Sequence, residues 1–268
     1  MSEQFNAKEY WEKRLQGNYD LHGVGLIEWG AQFNQWLYRI RRHGFLKSML
    51  KEKASWDGTK VLDVGSGTGF YLACWKELGA EHIHGMDLTE VAAQNLQEKF
   101  PDMNIHCGDI GANGLTGMDQ TFDAISCMDV LFHIVDDEMY GHAFKHITQM
   151  LKDDGLFVFS DSWLKGEDVR GVHIVHRSRR LVSQLLEQAG LEVVEVRPMF
   201  VLMNAPVDSH NALLKSWWWC LYQLSARFHR LAGFLAALLY PLERLLLKAS
   251  GSDGPTTKVI VCRKRARD

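Results

Sequence analysis

Proline and cysteine are both scarce in this chain, five of each in 268 residues. The cysteines, Cys74, Cys107, Cys127, Cys220 and Cys262, are odd in number, scattered and never in C-x-x-C spacing. That excludes a disulfide framework or a zinc knuckle as the organising device and fits a reducing compartment. No apolar run reaches the roughly 18–20 residues that a membrane-spanning helix requires. The polar start Met1-Ser2-Glu3-Gln4 lacks the form of a signal peptide, so a cytoplasmic location is expected. Net charge is small too: 30 basic against 33 acidic side chains leave −3. Without a basic excess there is no electrostatic footprint for nucleic acid, and none is expected as a partner.

Apolar residues are plentiful, 46% against 24% charged, which suits one α/β domain with additions. The chain is organised around Val61-Leu62-Asp63-Val64-Gly65-Ser66-Gly67-Thr68-Gly69-Phe70-Tyr71. An apolar run meets an acidic residue, passes three alternating glycines and continues into a helical pattern. This reads as a buried parallel strand, a tight turn and a helix N-terminus. Such a turn lets a ligand lie against the backbone.

Two ligands compete for it. A dinucleotide fingerprint is G-x-G-x-x-G, with its pyrophosphate on the helix N-terminus. Here the spacing is G-x-G-x-G, and Phe70 takes the place of the third dinucleotide glycine. A carboxylate such as Asp63 about 5 Å from a phosphate would cost roughly 3 kcal/mol at an effective dielectric near 20. A ligand with an ammonium and a sulfonium gains from the same charge. On these residues the chain resembles the class I S-adenosylmethionine (SAM)-dependent methyltransferases, whose first motif has this hydrophobic-hydrophobic-D-hydrophobic-G-x-G-x-G form.

Strand and helix signals then alternate. Strands are expected at 61–64, 82–86, 103–107, 122–127, 156–160, 191–196 and 257–262, with helices at 70–78, 89–100, 137–151 and 178–189. The expected fold is α/β, a Rossmann-like doubly wound, mostly parallel seven-stranded sheet. Four regions follow: a helical N-terminal lid over 1–58, a SAM-binding core over 59–196, a helical acceptor-cap insertion over 197–255, and a last core strand and tail over 256–268. The insertion of roughly sixty residues far exceeds an ordinary loop.

Asp87 ends the second strand about twenty residues beyond the glycine loop, where a carboxylate can accept both ribose hydroxyls of any adenosine cofactor. Its alternative role is a helix cap. The resemblance places Gly65, Ser66, Gly67, Gly69 and Phe70 against SAM, Leu88 on the adenine, and Asp109 and Ile110 near the adenine amino group. The segment Phe122-Asp123-Ala124-Ile125-Ser126-Cys127-Met128-Asp129-Val130-Leu131-Phe132-His133 is similar to that of ubiquinone-type O-methyltransferases. It implies Met128 at the cofactor and His133 near the methyl group, as a catalytic base or as a structural histidine. In the lid, Trp11 and Tyr10 are candidates to cover the cofactor, and Arg39 to meet its carboxylate. His173, His176 and Arg177 precede a helix and read either as base or anion donors or as surface residues around an Ser178 cap. Asp136-Asp137-Glu138 answers a helix dipole, so no metal is expected.

The insertion holds Trp217-Trp218-Trp219 and the apolar run Leu231–Tyr240. At helical spacing Trp218, Leu221, Tyr222 and Ser225 share one face. The segment reads as core, as a cap over the acceptor, or as peripheral membrane contact through 213–247 with Arg227, Arg230 and Arg244 at its polar edge. The resemblance implies methyl transfer from SAM, leaving S-adenosylhomocysteine, to a small and partly hydrophobic acceptor, first on oxygen. The alternatives are nitrogen or carbon methylation, or a SAM-binding module without turnover.

Overall fold

The computed structural model describes residues 5–21 and 23–266; the polar start Met1–Gln4 lies outside them. Two helices come first, α1 (Ala7–Gly17) and α2 (Gly30–Glu52). The alternating core follows as β1 (Lys60–Val64), α3 (Phe70–Glu77), β2 (His82–Asp87), α4 (Glu90–Lys99), β3 (Asn104–Cys107), β4 (Phe122–Cys127), α5 (Asp137–Met150) and β5 (Leu151–Asp161). A two-stranded ribbon, β6 (Val169–Arg170) and β7 (Val175–His176), leads to α6 (Arg179–Gln188) and β8 (Leu191–Pro198). The insertion forms α7 (Ala212–Arg227) and α8 (His229–Ala249), and β9 (Lys258–Lys264) closes the sheet.

The seven strands run in the order β3-β2-β1-β4-β5-β9-β8. Strands β1 to β5 are parallel, and β9 lies antiparallel between β5 and β8. The expected mostly parallel seven-stranded sheet is what forms. The central strands β1 and β4 and the second half of β5 are buried almost throughout because both faces are covered, whereas the edge strands β3 and β8 keep exposed residues. Along β1, Val61 joins the layer of Phe33, Leu37 and Trp75, whereas Leu62 and Val64 join Tyr140, Phe144 and Val182 on the other side.

Two local readings change. Strand β5 begins at Leu151, not Leu156, because Leu151 pairs with Phe122 before the register shifts. The acidic Asp153-Asp154-Gly155 stretch therefore lies within the strand, with Asp154 in the left-handed region at φ 60°. The ribbon β6–β7 had no signal, since two-residue strands carry no periodicity.

The insertion packs against α2. Trp218 lies 4.7 Å from Trp29, and Leu221 and Ser225 are buried on the expected face. Glu243 on α8 is fully buried and accepts the backbone N–H groups of Val201, Leu202 and Met203. That carboxylate ties the long connection after β8 to the helix above it.

Candidate functional site

Between β1 and β4 the strand order reverses, and at the carboxyl ends of such strands an α/β sheet opens a crevice. A cavity of about 550 Å³ occupies that position. The glycine loop forms its floor. Gly65 and Gly69 sit at φ 71° and 83°, and a Cβ added at either would stand 2.2 Å from Val130 or 2.3 Å from Phe100. Only glycine satisfies both demands at once. Gly65, Ser66, Gly67 and Phe70 line the cavity; Gly69 shapes the turn from behind and begins α3.

Asp63 lies beneath the loop, fully buried. Its Oδ1 accepts from Ser126 Oγ at 2.6 Å, itself held by Trp75 Nε1 at 2.9 Å, while Oδ2 has no partner. Burial pushes this carboxyl up to about 7, against the opposing pull of the Ser126 and Ser66 hydroxyls. Asp87 stands in the cavity wall and accepts from Thr89 N, Thr89 Oγ1 and Gly67 N. It thereby ties the glycine loop to the start of α4. Burial raises its pKa, and the same hydrogen bonds oppose the shift. Leu88, Asp109, Ile110 and Met128 complete the expected wall, with Asp109 Oδ1 accepting from Gly111 N at 2.8 Å.

The N-terminal segment roofs this space. Trp11 and Leu15 of α1 line the cavity. Glu12 Oε atoms accept the N–H groups of Glu90 and Val91, the free donors at the start of α4. Arg14 holds the carbonyls of Gly23 and Gly25 at 2.6 Å each, and the Tyr19 hydroxyl donates to Gly67 O at 2.8 Å. Tyr10 sits one layer out, stacked on the His173 ring at 5.6 Å.

Of the three candidate histidines, only His133 reaches the cavity. Its Nδ1 is 2.9 Å from the His173 carbonyl, an acceptor, so Nδ1 carries the proton and Nε2 is the basic nitrogen. Trp11 meets the ring edge-on at 5.0 Å. Burial lowers its pKa to about 4, so the ring is neutral at physiological pH. His173 supplies that carbonyl and a stacking face but does not line the cavity. His176 lies outside it as well, 2.6 Å from Ser162 Oγ.

Two further expectations are corrected. Arg39 is exposed and stacked on Trp36 at 4.2 Å, outside the cavity, because helical spacing points it to solvent. Arg177 is fully buried, bonded to Asp137 and to the Ile134 carbonyl, and stacked on Tyr140 at 3.7 Å. It braces the cavity wall and is no donor to an anionic acceptor. Among the described residues, none of the insertion 197–255 lines this cavity.

Sequence reasoning also missed a cluster. Asp129 lines the cavity in the left-handed region at φ 60°, a strained position for a residue with a Cβ. Ser160 Oγ receives its N–H at 2.6 Å, and Arg41 Nε donates to its carboxylate at 2.7 Å. Tyr38 and Tyr71 stand beside this pair, and the Tyr71 hydroxyl is buried without a partner. The one available signal was a carboxylate two residues after the fourth strand.

The chain is similar to known proteins. Residues 61–155 match the family model of the methyltransferase domain. A ribosomal protein L11 methyltransferase of Clostridium perfringens is 29% identical over 142 residues, covering 52% of this chain and 39% of that protein. A ubiquinone biosynthesis O-methyltransferase of Azoarcus sp. is 36% identical over 107 residues, covering 38% and 44%. The matches thus span less than two thirds of these relatives' lengths. Among solved structures, a SAM-dependent methyltransferase from Mesorhizobium loti superposes with a TM-score of 0.51 at 18% identity, covering 82% of this chain and 96% of that one. The [4+2]-cyclase SpnF superposes at 0.54 with 17% identity, covering 83% and 80%.

Proposed function

From a core that belongs to the class I SAM-dependent methyltransferases, we propose that this protein methylates a small, partly hydrophobic molecule on oxygen. SAM fits the residues present. The cavity wall carries Asp87, Asp109, Asp129 and Asp136 against a single basic side chain, Lys8. That balance favours a cationic ligand and disfavours a pyrophosphate. The Thr68 hydroxyl on the cavity wall is a buried acceptor without a partner, and so is Asp63 Oδ2, which lies behind the glycine loop and off the wall; both are free to answer an ammonium. In this reading Gly65, Ser66, Gly67 and Asp63 hold the methionyl part, Asp87 the ribose, and Leu88, Asp109 and Ile110 the adenine, with Met128 beside the sulfur.

When bound, SAM supplies an electrophilic methyl group. The chain's own task is to orient the acceptor, exclude water and take up a proton. Trp11 and Leu15 keep water out. His133 offers Nε2 as proton acceptor in a tautomer fixed by the His173 carbonyl. A low pKa does not disqualify it, because a hydroxyl becomes strongly acidic as its oxygen is alkylated. Asp129, held by Arg41, is the second group able to orient a polar acceptor atom.

One observation carries the choice of a small acceptor: a roof of α1 over a cavity of about 550 Å³ that the cofactor must share. The test is to incubate the protein with methyl-labelled SAM and a cell extract, then separate small molecules from macromolecules. Label in the small-molecule fraction, abolished in Asp87→Ala, is expected. Label confined to protein would overturn the small-acceptor reading and favour chemistry of the kind named for the L11 relatives.

A further inference from the structure

The outer face of α8 contradicts the rule for surface helices, whose solvent side is polar. Leu231, Phe234, Leu238, Leu242 and Leu245 recur there at helical spacing and are exposed, Phe234 by 60% and Leu245 by 63%. The opposite face, with Ala232, Gly233 and Ala236, is buried against α2. The helix is therefore apolar on both sides while only one side is covered. At 1.5 Å per residue the open stripe runs about 21 Å. No described helix is long and apolar enough to cross a membrane.

The charges on the same hairpin are one-sided. Residues 212–249 contain Lys215, Arg227, Arg230, Arg244 and Lys248 against one carboxylate, Glu243, which is buried. All exposed formal charge on the hairpin is positive, although the chain as a whole stands at −3. By helical spacing Arg230 and Lys248 lie on one edge of the stripe, at its two ends.

We propose that the α7–α8 hairpin seats this protein on an anionic lipid surface, with the α8 stripe among the acyl chains and the basic residues at the headgroups. A stripe of this composition, edged with cations and free of exposed carboxylates, is what an interfacial helix presents. A second copy of the chain is the weaker occupant. A two-fold contact places the same patch on both sides, so the cations would face their own copies. An anionic leaflet meets the apolar and the cationic features together.

The test is co-sedimentation of the full-length protein with phosphatidylcholine vesicles and with vesicles that also contain phosphatidylglycerol, without cofactor or acceptor. Binding to the anionic vesicles alone is expected. The double substitution Phe234→Glu with Leu238→Glu abolishes it, and Arg227→Gln with Arg230→Gln weakens it roughly thirtyfold. Both pairs are solvent-facing, so thermal melting and S-adenosylhomocysteine affinity stay unchanged and report an intact fold. Absence of vesicle binding by the wild type overturns the proposal, as does binding indifferent to F234E/L238E. A homodimer in sedimentation velocity that the same pair disperses, with no vesicle binding, assigns the stripe to a second copy.

Discussion

Two aromatic-rich segments flank the core, and they do opposite things with their apolar side chains. The N-terminal segment spends Trp11 and Leu15 on the cavity and fixes itself with polar bonds to the core: Glu12 on α4, Arg14 on two carbonyls, Tyr19 on Gly67. The C-terminal hairpin is fixed from the inside by Glu243 and turns a row of leucines and Phe234 outward. Composition does not distinguish the two. What separates them is where each segment finds polar partners: backbone N–H groups and carbonyls around the site in one, the connection after β8 in the other.

Substitutions can break this contrast, and the largest effect belongs to the site. Asp87→Ala removes an acceptor of three hydrogen bonds and should weaken SAM binding roughly a hundredfold, read by calorimetry. Leu238→Glu on the hairpin should leave that affinity unaltered; a comparable loss would mean that the two regions are coupled. Next comes the hairpin's anchor. Glu243→Gln replaces a carboxylate that holds three buried N–H groups and should cost about 2 kcal/mol, seen as a lower Tm with SAM affinity retained. The roof is weaker still. Glu12→Ala should cost about 1 kcal/mol of local stability and speed amide exchange in α1 roughly tenfold, with little change in Tm.

The smallest effect is on pH. Burial places the Asp63 carboxyl at about 7 in the free protein, and a cationic ligand favours its ionised form. SAM affinity should therefore fall about fivefold from pH 7 to pH 6, with proton uptake reversed on binding. Calorimetry in buffers of different ionisation enthalpy reads that proton directly; no proton release near neutrality would separate Asp63 from the cofactor. Stability of the unliganded protein moves the other way. A pKa raised from 3.8 to about 7 means that the folded state binds the extra proton, so Asp63's contribution declines as pH rises through that window.

The floor of the site was legible because its determinants are local. A strand ending in Asp63, glycines at every second position and Asp87 at the next strand end each follow from turn chemistry and period. His133, by contrast, could be placed but not interpreted. Its tautomer depends on the carbonyl of His173, forty residues on, delivered by a ribbon with no sequence signal. Arg39 faces solvent, whereas two residues later on α2, Arg41 faces inward to Asp129. The choice between them is a matter of helix phase against a partner that α2 meets only in the folded chain. The outward turn of α8 was hidden for a similar reason, since both its faces are apolar and only α2 decides which is covered.

Tyr19 joins the roof to the floor by a single hydroxyl on the Gly67 carbonyl. That bond makes the loop and the lid reporters of each other's state. A ligand that steadies the loop steadies the lid by the same free energy, and whatever loosens the first helix loosens the ligand. Among the bonds that hold the first segment down, that of Tyr19 is thus the one that touches the glycine loop itself, through a phenol borrowed from outside the sheet.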